Sequence, residues 1–256
     1  MTHHILILGG TLEARQLAAR LEAERRKRQD FDIILSLAGR TKNPLKQPVP
    51  VRIGGFGGVD GLAAYLKQEQ IDLLIDATHP YAASMSHHAA YAAEQTGTRL
   101  IAFRRPPWEP LPDDLWQNVP DVEGAVAALD TLPRKIFVAL GRKELLPFEK
   151  APWHHYIVRS VDPVEPPLNI PDVQYILDRG PFEEDSERKL LMEYGIECII
   201  SKNSGGPASY GKITAARQLK IPVIMIERPA LPFAETVETL DDALSQCLQH
   251  VSSAFM

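Results

Sequence analysis

The sequence predicts an α/β protein with two Rossmann-like lobes, each a mainly parallel sheet flanked by helices, and an active-site cleft between the lobes. Three observations along the 256 residues lead to this fold class: short apolar segments alternate with helical patterns, glycine-rich turns follow several apolar segments, and a run of prolines interrupts the alternation near the middle. Short, continuously apolar strands are typical of a parallel sheet, because helices cover both of its faces.

The first lobe is predicted over residues 1–110. Its apolar segments are separated by stretches long enough for helices, and right-handed crossovers of this kind build a doubly wound sheet. The predicted strands cover residues 5–8, 33–37, 51–53, 73–75 and 99–103, and the predicted helices cover residues 12–28, 61–68 and 82–96.

A proline-rich connection is predicted over residues 111–133, and a second α/β lobe over residues 134–256. Proline interrupts regular elements because it has a fixed φ and no N–H donor. The alternation of strand and helix resumes after the connection. The predicted strands cover residues 135–140, 156–161, 174–177, 198–201 and 223–226, and the predicted helices cover residues 183–193, 209–220 and 240–250.

Composition and charge limit the possible functions. Hydrophobic residues make up 45% of the chain and charged residues 24%, as in ordinary globular proteins. The formal net charge of −5 argues against sequence-independent nucleic-acid binding, which needs an excess of Lys and Arg. No apolar segment is long enough to span a bilayer, and the N-terminus lacks the basic and apolar regions of a signal peptide. We therefore expect a cytoplasmic protein without nucleic-acid or membrane partners.

The two cysteines give no sign of a disulfide framework or a metal centre. Cys198 and Cys247 lie far apart in the sequence and outside any CxxC or His/Cys spacing. Structural zinc centres use closely spaced ligands of these types. We therefore expect both cysteines to be core or incidental residues, and we expect no metal ion in the protein.

The first predicted strand ends in a turn that suits a phosphate group. Gly9, Gly10 and Thr11 stand between this strand and the first helix, where dinucleotide-binding folds place a pyrophosphate. The fingerprint G-x-G-x-x-G is incomplete, because Ala14 stands where a third glycine would favour close packing. A plain N-capping turn, with Thr11 as the cap, is the alternative interpretation.

The end of the second strand favours NADPH over NADH, and the loop after the third strand is a candidate contact with the cofactor. NAD-specific folds usually place a carboxylate at the end of the second strand, and none occurs there in this chain. If the lobe binds a dinucleotide, we expect Ser36, Arg40 and Thr41 around the 2′-phosphate. Gly55 and Phe56 belong to a loop of four glycines in five residues that allows close approach of the backbone to a ligand.

The fourth strand runs into Asp-Ala-Thr-His-Pro-Tyr, from Asp76. In the doubly wound order this strand lies beside the first strand. The turn after the first strand and the turn after the fourth strand therefore flank the topological switch point of the sheet. Asp76 is placed to orient the turn by accepting N–H bonds. His79 and Tyr81 are candidates to contact the substrate or to donate a proton, although a lone histidine is more often structural.

A second glycine-rich turn, Ser-Lys-Asn-Ser-Gly-Gly from Ser201, follows an apolar strand in the second lobe. Free N–H groups, a helix N-terminus and the Lys202 charge would favour an anion there. Two other functions stay open. Gly206 to Lys212 fit the G-x-x-x-x-G-K part of a triphosphatase phosphate loop, but Ile213 stands where Ser or Thr must hold Mg²⁺. A dinucleotide-binding sensor without catalytic activity would use the same scaffold.

Six motifs stand in order along the chain and together resemble the precorrin-6A reductase family. The resemblance implies an NADPH-dependent oxidoreductase acting on a CH–CH group in cobalamin biosynthesis. Such an enzyme reduces one C=C bond of precorrin-6A, or of its cobalt form, to the 6B product. The motifs are Gly-Gly-Thr-x-Glu from Gly9, Ala-Gly-Arg-Thr from Ala38, Gly-Gly-Phe-Gly-Gly from Gly54, Asp-Ala-Thr-His-Pro-Tyr-Ala from Asp76, Arg-Pro-Pro-Trp from Arg105 and Ser-Lys-Asn-Ser-Gly-Gly from Ser201.

The resemblance also implies a site for each ligand, with the tetrapyrrole and its many carboxylates bound by the second lobe. His79, Tyr81 and Lys202 are the candidate proton donors, and a monomer is expected. The turn at residues 201–206 binds either a substrate carboxylate or part of the cofactor. The expected cofactor-binding residues are Gly9, Gly10, Thr11, Glu13, Ser36, Arg40, Thr41, Gly55, Phe56, Thr78 and His79, and the expected substrate-binding residues are Arg104, Trp108, Arg142, Lys202, Ser204, Gly205 and Gly206.

Overall fold

The computed structural model describes residues 2–39 and 45–253. It divides into two compact units: the first contains Met1–Pro106 together with Ala230–Met256, and the second contains Pro107–Pro229. Each unit is built on one six-stranded parallel sheet, so the predicted fold class is confirmed. Within the described residues, no helix is both long and apolar enough to cross a bilayer.

The strands and helices follow one another in the alternation expected of α/β units. Two short 3₁₀ turns, Arg142–Glu144 and Leu146–Lys150, lie in the second unit. In chain order the strands are β1 (His3–Leu8), β2 (Phe31–Leu37), β3 (Val51–Ile53), β4 (Leu73–Asp76), β5 (Arg99–Phe103), β6 (Trp116–Val119), β7 (Lys135–Ala139), β8 (His155–Ser160), β9 (Val173–Leu177), β10 (Cys198–Lys202), β11 (Val223–Ile226) and β12 (Glu235–Val237). The helices are α1 (Leu12–Arg28), α2 (Gly58–Gln68), α3 (Ala83–Thr96), α4 (Val122–Ala127), α5 (Glu184–Glu193), α6 (Gly211–Leu219) and α7 (Leu240–Ser253).

The sheet of the first unit has the order β3-β2-β1-β4-β5-β12, which is the doubly wound order 3-2-1-4-5-6. Its central strand β1 is buried on both faces. Ile5 and Ile7 pack in one core with α1 and α7, whereas Leu6 and Leu8 pack in the other core with α2 and α3. The register pairs Leu8 with Ser36 and with Asp76, so the turns after β1, β2 and β4 lie along one edge of the sheet.

The sheet of the second unit has the order β9-β8-β7-β10-β11-β6 and repeats the topology of the first. Strand β7 takes the central place of β1, and β10 takes the place of β4. Phe137 and Ile199 of these strands pack against Leu191 of α5 and Ile213 of α6. The register pairs Ala139 with Ser201, so the turns after β7 and β10 are neighbours at the carboxyl edge.

The boundaries of the two units differ from the predicted ones. Residues 111–133 are more than a connection, because β6 and α4 lie there and β6 pairs with β11 of the second sheet. Residues after Pro229 are not part of the second unit. Strand β12 pairs with β5, and Cys247 and Val251 of α7 enter the core of the first unit. The sixth strand is β12 in the first sheet and β6 in the second. Each comes from a segment that the apolar pattern did not assign to that sheet.

Candidate functional site

The turn after β1 is held by Thr11, which is the N-cap of α1. Its hydroxyl accepts a hydrogen bond from the Ala14 N–H at 3.1 Å and donates one to the Ala77 carbonyl at 2.8 Å. Thr11 therefore caps α1, as the alternative interpretation expected, and an N-capped turn can still accept a phosphate group. The second bond adds something that the sequence did not indicate, since it joins the turn after β1 to the turn after β4.

The two glycines of this turn have different reasons to be glycine. A Cβ on Gly9 would lie 2.6 Å from Leu35 Cδ1, so packing against β2 excludes a side chain. Gly10 has φ +114°, a region that favours glycine, and nothing lies within 4 Å of its virtual Cβ. The turn therefore leaves open space beside Gly10 at the N-terminus of α1, where the helix dipole favours a negatively charged group.

Glu13 lies in the first turn of α1 and pairs with Arg105, with 2.6 Å between Oε2 and Nη1. The two side chains are only 13% and 14% exposed, so each largely neutralises the other in a desolvated environment. Sequence motifs place both residues near the site but do not indicate that they form a pair. This ion pair holds the segment that follows β5 close to the N-terminus of α1.

A buried carboxylate organises the turn after β4. Asp76 accepts hydrogen bonds from the Thr78 N–H at 3.1 Å, from the Thr78 hydroxyl at 2.7 Å and from Arg104 Nη2 at 2.6 Å. Burial on its own raises the pKa of this carboxyl group, but the Arg104 charge and hydrogen bonds from Arg104, Ser86 and Thr78 outweigh burial and lower the pKa. Arg104, which we expected to bind substrate, thus has an internal partner in the first unit.

His79 and Tyr81 are close to each other at the end of the same turn. The Tyr81 N–H donates to His79 Nδ1 at 3.3 Å, and the two rings lie 5.6 Å apart with a tilt of 38°. When Nδ1 accepts a hydrogen bond, the proton of a neutral imidazole is on Nε2. His79 therefore presents an N–H donor on the side of the ring away from the backbone.

Arg52 of β3 organises the glycine-rich loop and was missed by sequence reasoning. Its guanidinium donates to the Gly54 carbonyl at 2.6 Å and to the Gly55 carbonyl at 2.8 Å, and its Cζ lies 3.7 Å from the centre of the Phe56 ring. The register pairs Arg52 with Ser36 of β2. A cation is thus next to the predicted 2′-phosphate site; Arg40 and Thr41, predicted for the same site, lie outside the described residues.

In the second unit, Asn203 and Trp108 hold the turn after β10. The Asn203 amide accepts from the Trp108 N–H at 2.7 Å and donates to its carbonyl at 2.9 Å, while the indole N–H donates to the Gly206 carbonyl at 2.9 Å. Trp108 is only 8% exposed and packs against Tyr210. This placement corrects our expectation for Trp108: the indole supports the turn from inside instead of offering a face to a macrocycle.

The turn itself is built by two consecutive glycines in the left-handed region, Gly205 at φ +67° and Gly206 at φ +71°. The Ser204 N–H donates to the Lys202 carbonyl at 2.8 Å. Helix α6 begins only at Gly211, later than predicted, so residues 207–210 separate its N-terminus from the turn. Since the effect of the dipole falls off within one helical turn, side chains supply the positive charge here: Lys202, and Arg228, whose Nε donates to the Asn203 carbonyl at 2.9 Å.

The turns after β7 and β10 meet through an ion pair between Lys202 and Glu144. Glu144 also accepts from the Gly141 N–H at 3.2 Å, which fixes the 3₁₀ turn that follows β7. The Lys202 side chain is 13% exposed and that of Glu144 is 34% exposed. The structure therefore brings the predicted residues Lys202 and Arg142 to neighbouring turns, together with a carboxylate that the sequence analysis did not include.

The triphosphatase alternative is wrong. A phosphate-loop lysine must reach phosphates from the open side of its loop. Lys212 is instead 3% exposed, and its Nζ donates to the Ser209 carbonyl at 2.7 Å and lies 5.0 Å from the centre of the Trp108 ring. Burial and the nearby charge of Arg159 lower the pKa of Lys212 to about 7, although Glu187 opposes the shift.

Comparison with known proteins gives consistent matches over nearly the whole chain. The family described as "Precorrin-6x reductase CbiJ/CobK" matches residues 4–248. A precorrin-6A reductase of Sinorhizobium sp is 54% identical over 98% of this chain and 94% of the relative. A precorrin-6A reductase of Rhodobacter capsulatus is 46% identical over 96% of each chain. A solved structure described as "CobK precorrin-6A reductase" superposes with a TM-score of 0.91 at 46% identity, covering 98% of this chain and 97% of the other.

Proposed function

Because this chain belongs to the precorrin-6x reductase family, we propose that it is an oxidoreductase that reduces one C=C bond of the precorrin-6A macrocycle to the 6B product in cobalamin biosynthesis, with NADPH as the reductant. The observation that carries the proposal is the 54% identity to a precorrin-6A reductase over 98% of the chain. The aligned region spans both units and therefore the segments that form the turns at both carboxyl edges.

The relatives also favour a metal-free macrocycle as the substrate. Relatives named precorrin-6A reductase are 38% to 54% identical to this chain. Relatives named cobalt-precorrin-6A reductase, from Priestia megaterium and Methanothermobacter thermautotrophicus, are 26% and 28% identical. We therefore propose precorrin-6A itself, and not its cobalt form, as the substrate.

Residues of the first unit fit a dinucleotide. The space beside Gly10 and the adjoining N-terminus of α1 suit a pyrophosphate, while the pair of Ser36 and Arg52 suits a 2′-phosphate because it offers a hydroxyl and a cation without a carboxylate. Bound NADPH would supply the hydride. The protein would hold the cofactor through Gly9, Gly10, Thr11, Ser36, Gly55 and Phe56, with Thr78 and His79 at the adjacent turn.

Residues of the second unit fit the carboxylates of the substrate. Lys202 is held in place by Glu144, and Arg142 precedes the same glutamate by two residues. Gly205 and Gly206 add backbone N–H groups, and Ser204 adds a hydroxyl. Arginine and lysine bind carboxylates through charge-assisted hydrogen bonds. We assign these five residues to substrate binding, and we assign Arg104 to positioning Asp76.

One proton must reach the reduced ring for each hydride. We propose that His79 donates it in its imidazolium form, from Nε2, which lies on the side of the ring away from the Tyr81 N–H. Tyr81 and Lys202 are the other donors named from the sequence. Lys202 fits less well because its ammonium group is engaged by Glu144.

The direct test is turnover by the purified chain. Protein, NADPH and precorrin-6A are mixed without air, and both NADPH oxidation and the mass of the tetrapyrrole are followed. We expect oxidation of one NADPH for each macrocycle that gains two hydrogens, a much slower reaction with NADH, and none without the tetrapyrrole. Tight NADPH binding without any turnover would instead support a dinucleotide sensor.

A further inference from the structure

A cluster of two histidines and one aspartate lies at the amino edge of the first sheet. His3 begins β1, Asp72 directly precedes the neighbouring strand β4, and His250 lies in α7. The proposed cofactor and substrate residues are all at carboxyl edges of the sheets. Within residues 2–39 and 45–253, this is the one group of three or more His, Cys, Asp or Glu side chains close enough to hold a metal ion.

The distances in this cluster suit a small divalent ion. Asp72 Oδ1 lies 3.2 Å from His3 Nδ1 and 3.0 Å from His250 Nε2, and all three donor atoms lie within 4.8 Å of one another. Ligands at zinc distances in a tetrahedron are about 3.3 Å apart. Small side-chain movements would therefore bring the three atoms around one ion.

The carboxylate of Asp72 is already oriented for this task. Its second oxygen, Oδ2, accepts from the His4 N–H at 3.0 Å, and the Asp72 N–H donates to the His4 carbonyl at 3.1 Å. Such outer hydrogen bonds fix metal ligands and are typical of metal sites. The side chains of His3 and His250 are 12% and 20% exposed, so the site is sheltered but reachable from solvent.

We propose that His3, Asp72 and His250 bind one divalent transition-metal ion of the zinc type, with water completing the coordination. Two imidazoles and one carboxylate form a donor set that zinc commonly takes. The three ligands come from three distant parts of the chain, which explains why local spacing in the sequence predicted no metal site. The ion would clamp α7 to β1 and β4, and its role would be structural.

The test uses the full chain without a histidine tag, freed of metal by a chelator. Calorimetric titration with Zn²⁺ is expected to give one ion per chain, and Co²⁺ is expected to give the intense visible absorption of a tetrahedral site. Asp72→Asn and His250→Gln should each weaken binding at least tenfold. Zn²⁺ should also raise the unfolding temperature of the unchanged chain by several degrees, but not that of either variant.

The second unit offers a matched control. His155 begins β8 and pairs with Asp172, which precedes β9, but no third ligand joins them among the described residues. His155→Gln should bind Zn²⁺ as the unchanged chain does. If His250→Gln does not fold, His3→Gln can replace it, because His3 lies at the end of a strand. This variant should also weaken Zn²⁺ binding. Absence of Zn²⁺ binding at 100 µM, or equal binding by all the variants, would overturn the proposal.

Discussion

The two units have the same strand order. They differ in the turns at the topological switch point, where the order of the strands changes direction. After β1 the chain enters α1 at once, so backbone N–H groups and the helix dipole are available beside Gly10. After β7 it enters a 3₁₀ turn, and after β10 it forms a glycine turn that stands apart from α6. In the proposed assignment, the backbone at the N-terminus of α1 binds the pyrophosphate in the first unit, whereas Lys202 and Arg142 provide the main contacts to carboxylates in the second.

A second difference is the buried charge that supports each turn. Asp76 accepts hydrogen bonds from the turn of the first unit and is paired with Arg104. In the second unit, Lys212 donates to Ser209 and contacts the ring of Trp108, which holds the turn. One unit therefore places a carboxylate under its turn, and the other places an amine whose pKa burial lowers to about 7.

The largest effect is expected from Asp76→Ala. This change leaves Arg104 largely buried without its partner and removes the acceptor of two Thr78 bonds. We expect the free energy of unfolding to fall by about 3–5 kcal/mol. Denaturation by urea, followed by circular dichroism, measures the loss. Glu94→Ala, at an exposed position of α3, is the control and should change stability by less than about 0.5 kcal/mol.

Removal of the Lys202 charge should weaken the interaction with the tetrapyrrole and leave the affinity for NADPH nearly unchanged. We expect Lys202→Ala to raise the KM for the tetrapyrrole about tenfold or more, because a charge-assisted bond to a carboxylate is lost. The Kd for NADPH should change less than about twofold if the first unit binds it. Steady-state kinetics and fluorescence titration give the two values.

Lys150→Ala, an exposed position of the second unit, is the matched control for Lys202. It should leave both constants unchanged. If Lys202→Ala leaves the tetrapyrrole KM unchanged while the fold is intact, Lys202 only pairs with Glu144 and the substrate assignment is wrong.

His79 is tested by its effect on the chemical step. If His79 donates the proton, His79→Gln should lower kcat by about a hundredfold, because the general acid is lost. The KM for either ligand should change little. Full turnover by the variant at every pH would exclude His79 as the donor.

Arg52→Met tests the choice of cofactor. We expect the Kd for NADPH to rise about tenfold and the Kd for NADH to stay nearly unchanged, since only the 2′-phosphate requires the cation. Methionine keeps part of the contact with Phe56. Lys67→Ala, at an exposed position of α2, should alter neither value. Equal weakening of both cofactors would mean that Arg52 acts only by holding the glycine loop.

The smallest effect concerns the buried lysine. The pKa of Lys212 is about 7 in the folded chain and about 10.4 when unfolded, so the unfolded chain binds more protons between these values. The contribution of Lys212 to stability therefore rises with pH over this range. We expect Lys212→Met to raise the unfolding temperature at pH 7 by a few degrees and by less at pH 10. If the variant and the unchanged chain differ in unfolding temperature by the same amount at pH 7 and pH 10, the pKa of Lys212 is not lowered by burial.

Much of the fold is predictable because its signals are local. The central strands β1, β4, β7 and β10 are short apolar runs, and glycines mark the turns after β1, β7 and β10. The edge strand β6 was missed because Gln117 and Asn118 are exposed and break the apolar pattern. Strand β12 was missed because two of its three residues, Glu235 and Thr236, are polar and exposed. The amphipathic pattern of α7 predicts a helix but does not indicate which sheet it covers.

The candidate site is less predictable, because its decisive contacts join distant segments. Glycines and charged residues at strand ends predicted the turns. Their partners, such as Ala77 for Thr11 and Glu144 for Lys202, depend on strand order and could not be read from spacing. Arg52 is an exception, since a cation just before a glycine-rich loop at a strand end was a visible signal.

The path of the chain has a consequence for synthesis. The second unit is one continuous segment, Pro107–Pro229, whereas the first unit needs the residues that follow it. Until β12 and α7 have left the ribosome, β5 is an unpaired sheet edge and the apolar faces of β1 and α1 are uncovered. The second unit can therefore fold before the first, although most of the first is made earlier. A chain that is truncated after Pro229 and released from the ribosome should accordingly resist protease in the second unit and be cut in the first.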